Sequence, residues 1–306
     1  GLEITLLMVP VIVGAIVIIS YTSVGGFSAV ATMDLIQSVI MTVALCVIVV
    51  FGIVQAGGMD AVLAHASSLP GFLSFGQTYN AASGQAEPYG LIRIVSMLAW
   101  GLGYFGMPHI IIRFMSLKSE KELRKSSVIG ISWTTIILIM SALTAIAGRL
   151  YLGEIEDSST VFITMVRRIF PALVSGLLLS AILSAAMSTA DSQLLAASSA
   201  FASDVYKPVI RKKASDSEML WAGRIVVIVI AVVALMIASD PNSGSIMGLV
   251  ENAWGVFGAA FGPVILLSLF WKRLTFGGTV AGIAVGAAVD ILWLVFLSST
   301  DIYEIV

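Results

Sequence analysis

Cysteine, histidine and charge are scarce in this chain. One cysteine, Cys46, excludes an internal disulfide, and two histidines, His65 and His109, leave little from which to build a metal centre. Charged residues are 11% of the chain, where a soluble domain has roughly a quarter. With 58% hydrophobic residues and a mean hydropathy of +1.03, this scarcity excludes an ordinary water-soluble protein and leaves a polytopic membrane protein. A formal net charge of −2 speaks against a nucleic-acid partner. Strand-like alternation of polar and apolar residues is missing too, so the expected architecture is all-α.

What is present is a series of long apolar runs. Eight are long enough to cross a bilayer: 4–20, 26–54, 90–112, 127–149, 172–204, 219–238, 246–270 and 277–298. Basic residues then orient them. If the first span runs from outside to inside, the inner loops hold Arg113, Lys118, Lys121, Arg124, Lys125, Lys207, Arg211, Lys212, Lys213, Lys272 and Arg273. The outer side keeps only Arg93, Arg149, Arg167 and Arg168, and Arg224 falls near an inner helix end. The outer loops carry acids instead: Asp60, Glu87, Glu154, Glu156, Asp157, Asp240, Asp301 and Glu304. The stretch SLKSEKELRKSS reads as a solvated inner loop.

Four acids fall inside the spans: Asp34, Asp191, Glu251 and Asp290. A charge at the bilayer centre costs about 2.5–3.5 kcal/mol on insertion scales. No Lys or Arg lies deep in a span to pair with them. Such carboxylates are protonated, face water or hold a cation, and a small hard cation takes oxygen ligands. The fifth span supplies the oxygens. Ser184, Ser188, Asp191 and Ser192 recur three and four apart on one helix face, with Ala185 and Thr189 beside it. The other reading of that stripe is a small-residue packing seam, and adjacent stripes can do both. Asp34 and Asp191 lie ~15 and ~18 Å from the inner ends of their spans at 1.5 Å per residue, so their depths are similar. Glu251 reads as an outer residue reaching water. Asp290 has no hydroxyls around it, could pair with a helix outside this chain, and is assigned no role.

The third span contains WGLGYFGMPH, residues 100–109. Gly101, Gly103, Gly106 and Pro108 weaken a helix there. Broken helices at membrane depth survive where they line a cavity, and their half-helix ends suit a zwitterion. Trp100 and Tyr104, four apart, share a face and could wall an apolar ring. A plain proline kink with aromatic neighbours fits equally well.

Four stretches carry a resemblance: SYTSVGGFSAVATMDLIQS, WGLGYFGMPHIIIRFMSLKS, LSAILSAAMSTADSQLLAASSAFASDVYKPV and GLVENAWGVFGAAFGPVILLSLFWKR. Together they closely resemble the sodium/solute symporter family, most of all its sodium/proline symporters, over essentially the whole chain. The resemblance implies part of a LeuT-type inverted-repeat bundle with about eight transmembrane helices. The chain would hold the last two helices of the first repeat, the five of the second and one more, without the first core helices and the last helix.

The resemblance also implies ligands. The main sodium site would use the Ala185 carbonyl and the hydroxyls of Ser188 and Thr189. A second cation site, found in some members, would use Asp34 with Ser188, Asp191 and Ser192. Asp191 is an acid where proline symporters tend to have a hydroxyl. Trp100, Tyr104 and Pro108 would line the solute pocket, and Met107 stands where proline symporters usually have glutamine. Glu251 and Asn252 also depart from the family pattern.

The expected function is sodium-coupled symport of a small zwitterion, L-proline above all, across the plasma (inner) membrane. Sodium serves as coupling ion and no other cofactor is expected. The competing reading is the solute-sensing membrane module of a histidine-kinase-type sensor. The hydroxyls and acids include no base or metal set, so an enzyme is not expected.

Overall fold

Apolar runs of this length satisfy their backbone polar groups internally as helices, and ten α-helices form among the described residues. The computed structural model describes residues 2–155, 157–239, 244–297 and 302–303, with the side chains of that set except those of residues 2–11 and 24. Glu156, Asp240, Asp301 and Glu304 of the expected outer acids lie outside it.

The chain divides into two compact units, Gly1–Leu69 with Ser119–Val233, and Pro70–Lys118 with Ala234–Val306. In the first unit α1 (Leu2–Gln55) carries a break at Gly26, where φ is 58° and a side chain would be strained. The break separates the shorter apolar helix Ile12–Ser23 from the span Gly25–Gln55. After α2 (Met59–Ser68) this unit continues with α5 (Glu120–Leu152), α6 (Val161–Ile169), α7 (Ala172–Ala200), and α8 (Asp216–Ala238) up to Val233. A π-helical segment, Phe201–Ile210, prolongs α7. α7 packs along α1, and Ala44, Ile48, Met165, Val166, Leu178 and Ala181 form the buried core.

The second unit contains a small hairpin, β1 (Gln77–Asn80) against β2 (Gln85–Pro88), then α3 (Leu91–Gly103), α4 (Pro108–Met115), α9 (Ile246–Phe270) and α10 (Phe276–Phe296). Ser245 and Thr275 cap the first turns of α9 and α10 by accepting from the backbone N–H of Gly248 and Gly278. Gly286 sits against the Ala259 backbone carbonyl, so α10 lies close on α9. Leu269, Val285, Ile291 and Val295 remain exposed, as lipid-facing residues would be.

Among the described residues six helices are long and apolar enough to cross a membrane, and a seventh span forms if α3 and α4 are taken as one bent by 55°. These overlap seven of the eight expected spans, and the first falls on the start of α1, whose side chains are described from Ile12 onward. Two expectations need correcting. The hairpin is a strand element the sequence did not announce, because four residues per strand are too few to show alternation. SLKSEKELRKSS is not mainly a loop: α5 starts at Glu120, where the Ser119 hydroxyl accepts from the Glu122 N–H at 3.4 Å. Ser119 and Glu122 have the spacing of a capping box.

Candidate functional site

Within the first unit, α1 and α7 bring an oxygen-rich cluster together. The Tyr21 hydroxyl donates to Asp191 Oδ2 at 2.6 Å, joining residues 170 apart in sequence. Ser192 Oγ lies 3.2 Å from Asp191 Oδ1, 3.4 Å from Asp34 Oδ2 and 2.9 Å from the Ser188 carbonyl. A serine hydroxyl has one proton, so it serves only one of these three acceptors at a time. Asp191 is fully buried and Ser192 nearly so, whereas Asp34 is half-buried. The two carboxylates that sequence placed at similar depth thus meet across one hydroxyl.

One turn away on α7, the hydroxyls of Ser188 and Thr189 both donate to the Ala185 carbonyl at 3.2 Å. Three oxygens therefore gather on one patch of the helix. Back-bonding to the preceding turn occupies each hydroxyl proton and leaves lone pairs turned outward. Ala185 and Thr189 are exposed and Ser188 is half-buried. The sequence stripe thus splits into three buried residues, Ser184, Asp191 and Ser192, and a more open trio, Ala185, Ser188 and Thr189. Among the described residues no group of three or more His, Cys, Asp or Glu could hold a metal ion, so the donor set here is two carboxylates with neutral oxygens.

In the second unit the glycine-rich segment is a true break. α3 ends at Gly103, residues Tyr104–Gly106 form a 3-10 turn, and Pro108 opens α4, where its missing N–H costs nothing. The Tyr104 N–H turns to the Leu102 carbonyl rather than to Trp100. The freed Trp100 carbonyl accepts from the Trp254 indole N–H at 2.9 Å. A Cβ at Gly103 would strike that indole, and one at Gly106 would strike the Phe257 backbone carbonyl. Both glycines are there so that α9 can reach the break.

Trp100 is stacked with Trp254 at 5.3 Å and with Tyr303 at 5.6 Å, each with 14° between ring planes. Trp100 is half-buried among these rings. Tyr104 is 46% exposed, with its ring edge-on to Trp254 at 4.7 Å, and Pro108 is exposed. Met107 is buried at the elbow. Glu251 receives the Tyr303 hydroxyl on its main-chain carbonyl at 3.0 Å. Asp290 is wholly buried within this chain, which corrects the idea that its side chain awaits a helix outside it.

Sequence reading missed Tyr21, Gln37 and Trp254. Nothing in a single sequence pairs Tyr21 with Asp191. Gln37 carried a signal, as it stands one turn from Asp34 on the same face.

The chain is 40% identical over 294 residues to the high-affinity proline transporter PutP of Bacillus subtilis (strain 168), covering 95% of this chain and 60% of that protein. It is 41% identical over 303 residues to the osmoregulated proline transporter OpuE of the same organism, covering 95% and 58%. The sodium/proline symporter of Staphylococcus aureus is 40% identical over 290 residues, covering 92% and 55%. The chain thus spans less than two thirds of the length of these relatives. A solved structure of a Na+-coupled sialic acid symporter, in a substrate-bound outward-open state, matches with a TM-score of 0.74 at 20% identity, over 94% of this chain and 60% of that one. That likeness establishes the fold. The Sodium:solute symporter family matches residues 2–286, and this multi-pass membrane chain belongs to it.

Proposed function

We propose that the full-length protein couples inward sodium flow to uptake of a small zwitterion, most simply L-proline. One observation carries the reading: Asp34 and Asp191, from two membrane helices, meet at the Ser192 hydroxyl. Two carboxylates that share a hydroxyl with a single proton repel unless one takes up a proton or a cation lies among them, and the α7 oxygens beside them favour the cation. Ala185, Ser188 and Thr189 form the main sodium site, and Asp34, Asp191 and Ser192 with Ser188 form a second. Trp100, Tyr104 and Pro108 bound the solute pocket, with Tyr104 and Pro108 offering the accessible surface. The proline transporters among the relatives favour proline as the solute.

In this reading residues 1–306 form one transporter domain with the eight spans above, oriented by the inner basic loops. Sodium on the α7 oxygens stabilises the conformation that holds solute. By linkage, solute then tightens sodium by the same factor. Inward release follows because each positive charge gains about 2.3 kcal/mol per 100 mV. The test is uptake of labelled proline by the full-length protein in proteoliposomes, with sodium or choline outside and other amino acids as competitors. Uptake that is independent of sodium refutes the proposal. Sodium-driven uptake that excess proline cannot reduce refutes proline as the solute.

A further inference from the structure

Beside Asp34 and Asp191 stand two residues to which the sequence analysis gave no role, Tyr21 and Gln37. Gln37 is 4% exposed, one turn along α1 from Asp34. It lies beside the Tyr21 phenol, which itself holds Asp191. The Gln37 carbonyl oxygen Oε1 is buried without a hydrogen-bond partner among the described residues. A buried amide oxygen left unsatisfied costs free energy, and a membrane interior offers little water to relieve it. The same small volume already gathers two carboxylates and a serine oxygen. An unsatisfied neutral oxygen beside excess negative charge suits a hard monovalent cation.

We propose that Gln37 Oε1 is a direct ligand of a sodium ion held between Asp34 and Asp191, and that Tyr21 is the positioning residue of this site. Gln37 adds a neutral oxygen without adding charge. Tyr21 fixes the Asp191 carboxylate by donating to Oδ2, which leaves Oδ1 turned to Ser192 and the ion. A hydrogen bond to the far oxygen of a ligating carboxylate sets its orientation, and loss of such a partner typically weakens metal binding 10–100-fold. This deepens the proposed symport and rests on it.

The experiment measures the sodium dependence of labelled proline uptake, and the sodium-to-solute ratio from 22Na+ flux, for full-length protein in proteoliposomes. Gln37→Leu and Tyr21→Phe are compared with wild type, and Gln37→Glu is the variant that keeps an oxygen. Gln37→Leu is expected to raise half-saturating sodium by about tenfold or more and to lower the ratio, with maximal uptake kept at saturating sodium. Tyr21→Phe is expected to raise it by about tenfold. Gln37→Glu is expected to stay near wild type or to bind sodium more tightly. Half-saturating sodium within twofold of wild type in both Gln37→Leu and Tyr21→Phe overturns the inference while leaving symport standing. So does a fall in maximal uptake with no shift in half-saturating sodium, because that marks a merely structural role. If Gln37→Leu does not fold, Gln37→Glu and Tyr21→Phe decide. A wild type without sodium dependence overturns the underlying symport reading instead.

Discussion

The Trp254 indole N–H donates to the Trp100 carbonyl at 2.9 Å, so a side chain of α9 takes over the backbone acceptor that the α3 break sets free. A carbonyl released inside a membrane helix needs such a partner, and the freed group and its donor come from segments 154 residues apart.

Trp254→Phe keeps an aromatic ring against Trp100 and removes only the donor. The expected result is a loss of about 1–2 kcal/mol, read as a lower unfolding midpoint in detergent. An unchanged midpoint means the Trp100 carbonyl finds another donor and the indole is only a packing group.

Glycine substitutions separate close approach from plain helix weakening. Gly106→Ala puts a methyl into the Phe257 carbonyl, and Gly103→Ala puts one into the Trp254 indole. Both are expected to destabilise the protein and weaken solute uptake, with Gly106 worse because backbone must shift. Gly101→Ala meets nothing within 4 Å and is expected to gain about 0.5–1 kcal/mol, the ordinary benefit of removing a helix glycine. Equal losses at all three positions contradict the close-approach account.

The spans were legible because twenty-residue apolar runs leave the backbone no other solution, and their expected ends mostly fall within a few residues of the observed helices. The start of α5 was misjudged because charge density around Lys118–Lys125 outweighed the Ser119 and Glu122 capping signal. The break at Gly103–Pro108 was legible from glycine and proline. Its partner Trp254 was not, because a span full of glycine and aromatics gives no address for a distant contact. The oxygen stripe on α7 was visible as spacing. Its division into buried residues and an open trio depends on α1 covering one side, which only the packing sets. Tyr21 lies just before the Gly26 break, and nothing in its sequence position ties it to α7. Its hydroxyl instead points inward to Asp191.

The open trio predicts a selective effect on sodium. Ser188→Ala or Thr189→Ala removes one of three gathered oxygens while leaving the helix backbone intact. Half-saturating sodium for uptake is expected to rise about tenfold, as loss of one good ion ligand typically costs ~1.4 kcal/mol or more. Ser180→Ala is the control, since that hydroxyl only back-bonds to the Leu177 carbonyl at 2.6 Å. If Ser180→Ala shifts sodium dependence as much as the other two, the effect belongs to helix geometry and not to an ion site.

Arg224 makes the last prediction. Its Nε donates to the Ser23 carbonyl at 3.0 Å, and its guanidinium lies 4.9 Å from the Trp221 ring centroid. Ser23 is three residues before the Gly26 break, where the helix leaves carbonyls without following N–H partners. A positive group there also complements the helix dipole. Arg224→Leu keeps an apolar stem but strips donor and charge, and is expected to cost about 1.5–3 kcal/mol, the range for a hydrogen bond from a charged group. Arg224→Lys keeps the charge without the planar fork and is expected to recover only part of the loss. Full recovery in the lysine variant would show that charge alone acts here. Recovery in Arg224→Gln, a neutral donor, would show that the hydrogen bond to Ser23 is what holds the break in place.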